Sequence, residues 1–250
     1  MNLVVESLSF QYPSRKVLNE ISLSLDKGEC LSILGTNGVG KSTLLKCLNR
    51  ILRQQSGKVV VMGEDIQGLS GNDLAKRIGY VSQRNHFPAS TVFDAVLLGR
   101  KPYIKWDVTR QDLEIVHSVM KSLDLEDFAL RRVDELSGGE AQKVAIARAL
   151  AQKSDILMFD EPTSNLDLKN QLEVIGIIKN IIRERQISAI VTMHDLNMAL
   201  RFADKFIFMK AGKIFAAGDI RIITRENILA VYGVPVDIEI HHNTPVIIPV

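Results

Sequence analysis

Gly35-Thr36-Asn37-Gly38-Val39-Gly40-Lys41-Ser42 is the stretch that decides how this chain folds, because it matches G-x-x-x-x-G-K-[ST] in full. It follows Cys30-Leu31-Ser32-Ile33-Leu34, a run that predicts a buried parallel strand. It precedes a pattern from Ser42 to Leu52 with apolar residues at Leu44, Leu45, Leu48, Ile51 and Leu52, which predicts a helix. A glycine-rich loop in a strand–loop–helix context wraps backbone N–H groups around phosphates. Gly35, Gly38 and Gly40 allow positive φ and remove Cβ atoms that would block a phosphate. Lys41 supplies a point charge for β- and γ-phosphates, and the Ser42 hydroxyl is a ligand for Mg²⁺. A plain glycine-rich turn at a strand end accounts for only part of this pattern.

The chain has 250 residues, 46% of them hydrophobic, which suits one large α/β domain or a domain with an inserted lobe. A net charge of +2 gives no basis for a nucleic-acid groove or an acidic-membrane patch. Cys30 and Cys47 flank the loop and read as small buried apolar residues in a reducing compartment, not as a disulfide. No apolar run approaches the length of a membrane span, and Met1-Asn2-Leu3-Val4-Val5-Glu6 lacks the features of a secretory signal. A soluble, cytosolic chain is expected, one that works at a membrane only by docking on another protein.

Alternation predicts half-buried strands over Leu3–Phe10 and Ile21–Leu25, with further strands at Lys58–Met62 and Ile78–Ser82, the last ending at Gln83. From Thr91 to Leu150 the spacing turns helical. Thr91 with Asp94, and Thr109 with Asp112, have capping-box spacing. After Ser154 strands and helices alternate again: Ile156–Phe159, a helix face of Leu172, Ile175, Ile178 and Ile182, then Ala189–Met193 and Phe206–Met209. This order predicts a mainly parallel sheet with a helical lobe inserted at about residues 84–150. Val234–Ile240 and Val246–Val250 read as a hairpin across His241-His242-Asn243-Thr244, with Pro235, Pro245 and Pro249 at edge positions. On a strand, the adjacent His241 and His242 would point to opposite faces, a poor arrangement for sharing a metal.

Two further segments carry chemistry. Ile156-Leu157-Met158-Phe159-Asp160-Glu161 describes a buried strand that delivers two carboxylates at its C-terminal end, where open α/β sheets bind ligands. Asp160 is suited to hold Mg²⁺ and Glu161 to polarise a water for in-line attack. In Leu136-Ser137-Gly138-Gly139-Glu140, Ser137 and Glu140 fit a capping box, so this is a helix start. Its two glycines and the helix dipole also make it a second phosphate site.

The phosphate loop, Gln83, Leu136–Glu140, Asp160-Glu161, Asn165-Leu166-Asp167 and His194 occur in the order found in ATP-binding cassette (ABC) ATPases, which this chain resembles from about Leu3 to Gly218. The resemblance implies a P-loop, RecA-like α/β fold: a mainly parallel core, an N-terminal antiparallel β-subdomain and an inserted helical subdomain. The cassette would span residues 1–235 and the tail hairpin 236–250. It further implies a head-to-tail homodimer with ATP and Mg²⁺ at its interface. Each nucleotide would lie between Gly35, Thr36, Asn37, Gly38, Val39, Gly40, Lys41, Ser42 and Thr43 of one subunit and Ser137, Gly138, Gly139 and Glu140 of the other. Tyr12 looks like the aromatic that stacks on adenine, with an ordinary strand-end aromatic as the alternative. Gln83 looks like the residue that reaches Mg²⁺ and the attacking water, beside Ser42 and Asp160 as the other metal contacts. Asp167 looks like the acid that faces the opposing phosphate loop, and it also fits a helix N-cap before Leu168. His194 looks like the residue that bonds the γ-phosphate and helps to hold Glu161 and the water. Glu140 and Asn165 depart from the commonest forms without removing a needed group.

The segment Asp94 to Tyr103 and the tail Val231-Tyr232-Gly233-Val234-Pro235-Val236 are similar to ATPases of iron-chelate, cobalamin and haem importers, whose close relatives carry molybdate or tungstate. This implies two polytopic permease subunits as partners, a substrate-binding protein acting indirectly, no nucleic acid, and a peripheral place on the cytoplasmic face of the membrane. A soluble assembly or clamp ATPase is the alternative, and a P-loop kinase would leave Leu136–Glu140 and His194 unexplained.

Overall fold

The structure, a computed structural model, describes residues 1–83, 87, 89–242 and 244–250. The expected start of the lobe at residue 84, and Asn243 in the expected hairpin turn, lie outside the described residues. In chain order the elements are β1 (Leu3–Tyr12), β2 (Arg15–Leu25), β3 (Cys30–Leu34), α1 (Lys41–Leu48), β4 (Ser56–Val61), β5 (Glu64–Asp65), α2 (Gly71–Arg77), β6 (Ile78–Val81), α3 (Val92–Leu97), α4 (Arg110–Ser122), α5 (Gly138–Ala151), β7 (Ile156–Asp160), α6 (Leu168–Arg185), β8 (Ser188–Thr192), α7 (Leu196–Ala199), β9 (Lys205–Lys210), β10 (Lys213–Gly218), α8 (Arg225–Tyr232), β11 (Val236–His241) and β12 (Thr244–Pro249). They form two compact units, Met1–Gly68 with Ile181–Val250, and Leu69–Asn180.

The first unit holds the antiparallel sheet β2-β1-β4-β5 and the strands β10-β9-β3-β8. β3 runs parallel to both β8 and β9, and β10 closes the edge antiparallel to β9. Every residue of β3 and β8 is buried, which is why both read as near-continuous apolar runs: a strand covered on both faces has no water side. Cys30 and Cys47 are buried free thiols, as expected, and burial pushes the Cys47 thiol up to about 12.

Three details differ from the sequence pattern. α1 stops at Leu48 instead of Leu52, because Arg50 takes a left-handed φ of 53° and donates through Nη1 to the Ile66 carbonyl at 2.6 Å. The tail hairpin pairs Val236–His241 with Thr244–Pro249, so Pro245 and Pro249 occupy a two-stranded ribbon that needs few ladder donors. His242 leaves the strand with φ 46°, and this brings its ring centroid to 4.3 Å from that of His241 instead of to the opposite face.

The second unit pairs β6 parallel to β7 and packs α3, α4 and α5 together. Its centre is a buried ion pair. Arg100 is 5% exposed and Asp112 4%. Arg100 donates from Nε to Asp112 Oδ1 at 2.9 Å and from Nη1 to the Ala151 carbonyl at 2.7 Å, so one guanidinium ties α4 to the end of α5. Asp112 also completes the Thr109 capping box, and the Thr109 hydroxyl, followed by Arg100, holds its carboxyl below the usual range. Removing one member of a buried pair strands the other. Arg100→Ala is therefore expected to destabilise the protein by about 3–5 kcal/mol, read as a lower midpoint in denaturant. The Asp112 contribution is fully present above its unfolded value and fades as pH falls through the lowered folded value. Acid unfolding of Asp112→Asn should therefore lack that component.

Candidate active site

In the first unit, β3 ends at Leu34 and the phosphate loop carries the chain into α1. Gly35 has φ 149°, and a Cβ there would meet the Met209 carbonyl at 2.6 Å, so no other residue fits beside β9. Lys41 is 4% exposed, and its Nζ donates to the Gly35 carbonyl at 2.8 Å, folding the ammonium into its own loop. The N-cap of α1 is Gly40, which offers no side-chain cap. Every other α-helix begins on a capping side chain: Ser70, Thr91, Thr109, Ser137, Asp167, Asp195 or Thr224. The start of α1 thus has no side-chain cap of its own, and a helix N-terminus opened by glycine is suited to an oxyanion. Tyr12, at the end of β1, is 40% exposed and packs edge-on against Phe10 with centroids 4.9 Å apart, which leaves ring surface open for stacking. His194 lies exposed just beyond β8, after Met193 N–H bonds the Ile33 carbonyl at 3.0 Å. Near the loop, the Tyr232 ring lies edge-on to Phe208. Its hydroxyl is buried without a well-formed partner and faces the Gly35 backbone.

In the second unit, all of β7 is buried and Asp160 is 3% exposed. Tyr80 of β6 donates its hydroxyl to Asp160 Oδ2 at 3.1 Å, and burial together with the Asp160 charge pushes the Tyr80 phenol well up. Glu161, just past the strand, takes a left-handed φ of 48°, a strained backbone turn. Gln83 Nε2 donates to Glu161 Oε2 at 2.8 Å. The structure thus brings together two residues that the sequence had offered separately.

The start of α5 forms the full capping box: Ser137 Oγ accepts from Glu140 N–H at 3.3 Å, and Glu140 Oε2 accepts from Ser137 N–H at 2.8 Å. Hydrogen bonds from the Ser137 hydroxyl and then its amide hold the Glu140 carboxyl low. Gly138 is exposed, whereas Gly139 is buried and a Cβ there would lie 2.5 Å from Asn170 Oδ1. Asn170 in turn gives its N–H and side-chain amide to Asp167, at 2.8 and 3.1 Å. Asp167 is therefore the N-cap of α6, and Asn170 links it to Gly139.

Residues 18–164, more than half of the chain, match the family model for ABC transporters. The chain belongs to the ABC transporter ATP-binding family. An ABC transporter ATP-binding protein of Methanocaldococcus jannaschii is 55% identical over 250 residues, covering 100% of this chain and 98% of its own. The petrobactin import ATP-binding protein YclP of Bacillus subtilis is 34% identical over 86% of this chain and 85% of its own. The phosphonates import ATP-binding protein PhnC of Nitratidesulfovibrio vulgaris is 36% identical over 93% and 92%. Among solved structures, a chain of an inward-facing transporter described as metal-chelate type superposes with TM-score 0.87 at 31% identity, covering 100% and 98%. A dimeric bacterial ABC transporter cassette superposes with TM-score 0.78 at 28% identity, covering 88% and 99%.

The ABC cassette is an ATPase, and its α/β fold is the one expected, with a parallel-rich sheet and an N-terminal antiparallel sheet. The candidate donors for Mg²⁺ fit that ion: Ser42 hydroxyl, Gln83 amide and Asp160 carboxylate are all hard oxygens. Among the described residues no three His, Cys, Asp or Glu side chains cluster as a cage, and Mg²⁺ usually takes one or two carboxylates and completes its shell with phosphate oxygens and water. Among those residues, too, no helix is long and apolar enough to cross a membrane. Sequence reading missed Tyr80 and Asn170. Tyr80 had a faint signal, a hydroxyl inside the apolar run Ile78–Val81, and Asn170 had none.

Proposed function

We propose that this cassette powers a membrane importer for an iron chelate, such as a siderophore, or for cobalamin or haem. ATP binds with its phosphates on Gly35–Thr43 and its adenine on Tyr12. The phosphate loop is the observation that carries this reading: Gly40 opens α1 without a side-chain cap, and Lys41 Nζ folds back onto the Gly35 carbonyl of the same loop. Bound Mg²⁺ would neutralise charge on the β- and γ-phosphates, held by Ser42, Asp160 and Gln83. Glu161 takes a proton from the attacking water, Gln83 and His194 orient it, and Lys41 with His194 stabilises the γ-phosphoryl oxygens as charge develops. Two copies pair head to tail, so that Ser137, Gly138, Gly139, Glu140 and Asp167 act on the nucleotide of the other copy. The dimeric cassette among the structural relatives supports this pairing. Two permease subunits on the membrane receive the motion, and a substrate-binding protein delivers cargo to them, which places the cassette on the cytoplasmic face.

The petrobactin and metal-chelate relatives support the iron-chelate cargo. The phosphonate relative favours a second reading, a small oxyanion. ATP turnover measured with the cognate permease and binding protein in lipid vesicles separates them. A ferric siderophore, cobalamin or haem is expected to stimulate turnover severalfold, and stimulation by methylphosphonate alone would overturn the chelate assignment.

A further inference from the structure

The tail hairpin has no part in the mechanism above, yet it grips the element that follows His194. His194 is suspended between two anchors. Upstream, Met193 N–H is fixed to the Ile33 carbonyl of β3 at 3.0 Å. Downstream, Asp195 caps α7 by accepting from Met198 N–H at 3.0 Å. α7 is a single turn, Leu196–Ala199, too short to hold a direction by its own hydrogen bonds. Burial of Met198 and Ala199 packs it inward, and Asn197 ties it to the tail. Its Oδ1 accepts from Ile247 N–H at 2.8 Å, and its Nδ2 donates to the Ile247 carbonyl at 3.0 Å. The side-chain amide thus pairs with β12 as another strand would, across 50 residues of sequence.

The hairpin is itself fixed. Ile247 and Val236 are buried at 5% and 7% exposure. Arg225 of α8 meets Asp237 of β11 at 2.8 Å, and Val250 N–H closes on the Pro235 carbonyl at 3.2 Å. The hairpin strands are therefore packed against α7 and α8.

We propose that Asn197 is a positioning residue for ATP hydrolysis: its two-way amide clamp on Ile247 makes the C-terminal hairpin the downstream anchor that aims His194. This rests on the catalytic role assigned to His194 under the proposed function. The clamp bonds Ile247 and not the phosphate loop, so it acts on turnover and leaves nucleotide affinity alone.

The test uses the full chain with MgATP and compares Asn197→Ala, Asn197→Leu, Asn197→Asp and His194→Ala. Turnover, ATP affinity, melting temperature and the imidazole NMR signals are read for each; the chain has 5 histidines, so His194 is assignable by its loss in His194→Ala. Asn197→Ala and Asn197→Leu are expected to lower kcat roughly tenfold by misaligning His194, with ATP affinity held within about twofold. The His194 signal should shift or broaden while that of His117 stays in place. Asn197→Asp keeps the acceptor for Ile247 N–H and should retain more than half of the turnover. If His194→Ala is inactive while both apolar variants turn over normally, the inference is overturned and the role of His194 stands. The same holds if kcat falls with an unmoved His194 signal. If His194→Ala hydrolyses ATP at the native rate, the role of His194 falls and the inference falls with it.

Discussion

Glu161→Gln is expected to bind MgATP with native affinity and to hydrolyse it about 10²–10⁴-fold more slowly, the range for loss of a general base. The argument starts from geometry. Glu161 follows β7, whose residues are all buried, and takes a left-handed φ of 48° at the strand end. Gln83 gives an N–H to Oε2 at 2.8 Å, which orients the carboxylate. Glutamine preserves the size of the side chain and still offers an oxygen to Gln83, but its amide does not accept a proton at neutral pH. Shape, and with it nucleotide binding on the phosphate loop, is retained. In the proposed head-to-tail pair hydrolysis releases the two copies, so the variant should also accumulate as an ATP-held dimer, read by light scattering with and without MgATP. Near-native turnover in single-turnover assays would remove Glu161 from the base role.

Ser137→Arg is expected to bind ATP as a monomer and yet to lose nearly all hydrolysis. Ser137 lies outside the phosphate loop, at an exposed helix start where its hydroxyl and amide satisfy Glu140. Arginine there breaks the capping box and projects bulk where a second copy would bring its nucleotide. Lys41→Ala fails for a different reason, because it removes the ammonium held at Gly35. Mixing the two inactive proteins discriminates between models. In a head-to-tail pair one site combines both defects and the other combines two intact halves, so a 1:1 mixture should regain about a quarter of the native sites. If ATP turnover in the mixture stays at the level of the separate variants, each copy works alone and the paired-site proposal fails.

The readable parts of this protein were the contiguous ones. Gly35 to Ser42 declares its chemistry because a phosphate cradle is built from consecutive backbone N–H groups, so its glycines and lysine must fall at fixed spacing. Ile156 to Glu161 and Ser137 to Glu140 are legible for the same reason: a strand end and a helix cap are local objects. Edges were harder. β10 and α8 went unread, since an edge strand with the burial pattern of Lys213–Gly218 and an eight-residue helix carry little periodicity.

The sequence by itself determined the fold class, the phosphate loop, the two strand-end acids and the capped glycine pair, because each is specified by residues within one turn or strand of each other. Tertiary structure alone decided that Tyr80 holds Asp160, that Gln83 holds Glu161 and that Asn197 clamps Ile247. Those partners stand 80, 78 and 50 residues apart, and only the packing of β6 beside β7, and of the tail against α7, brings their polar atoms within hydrogen-bond reach.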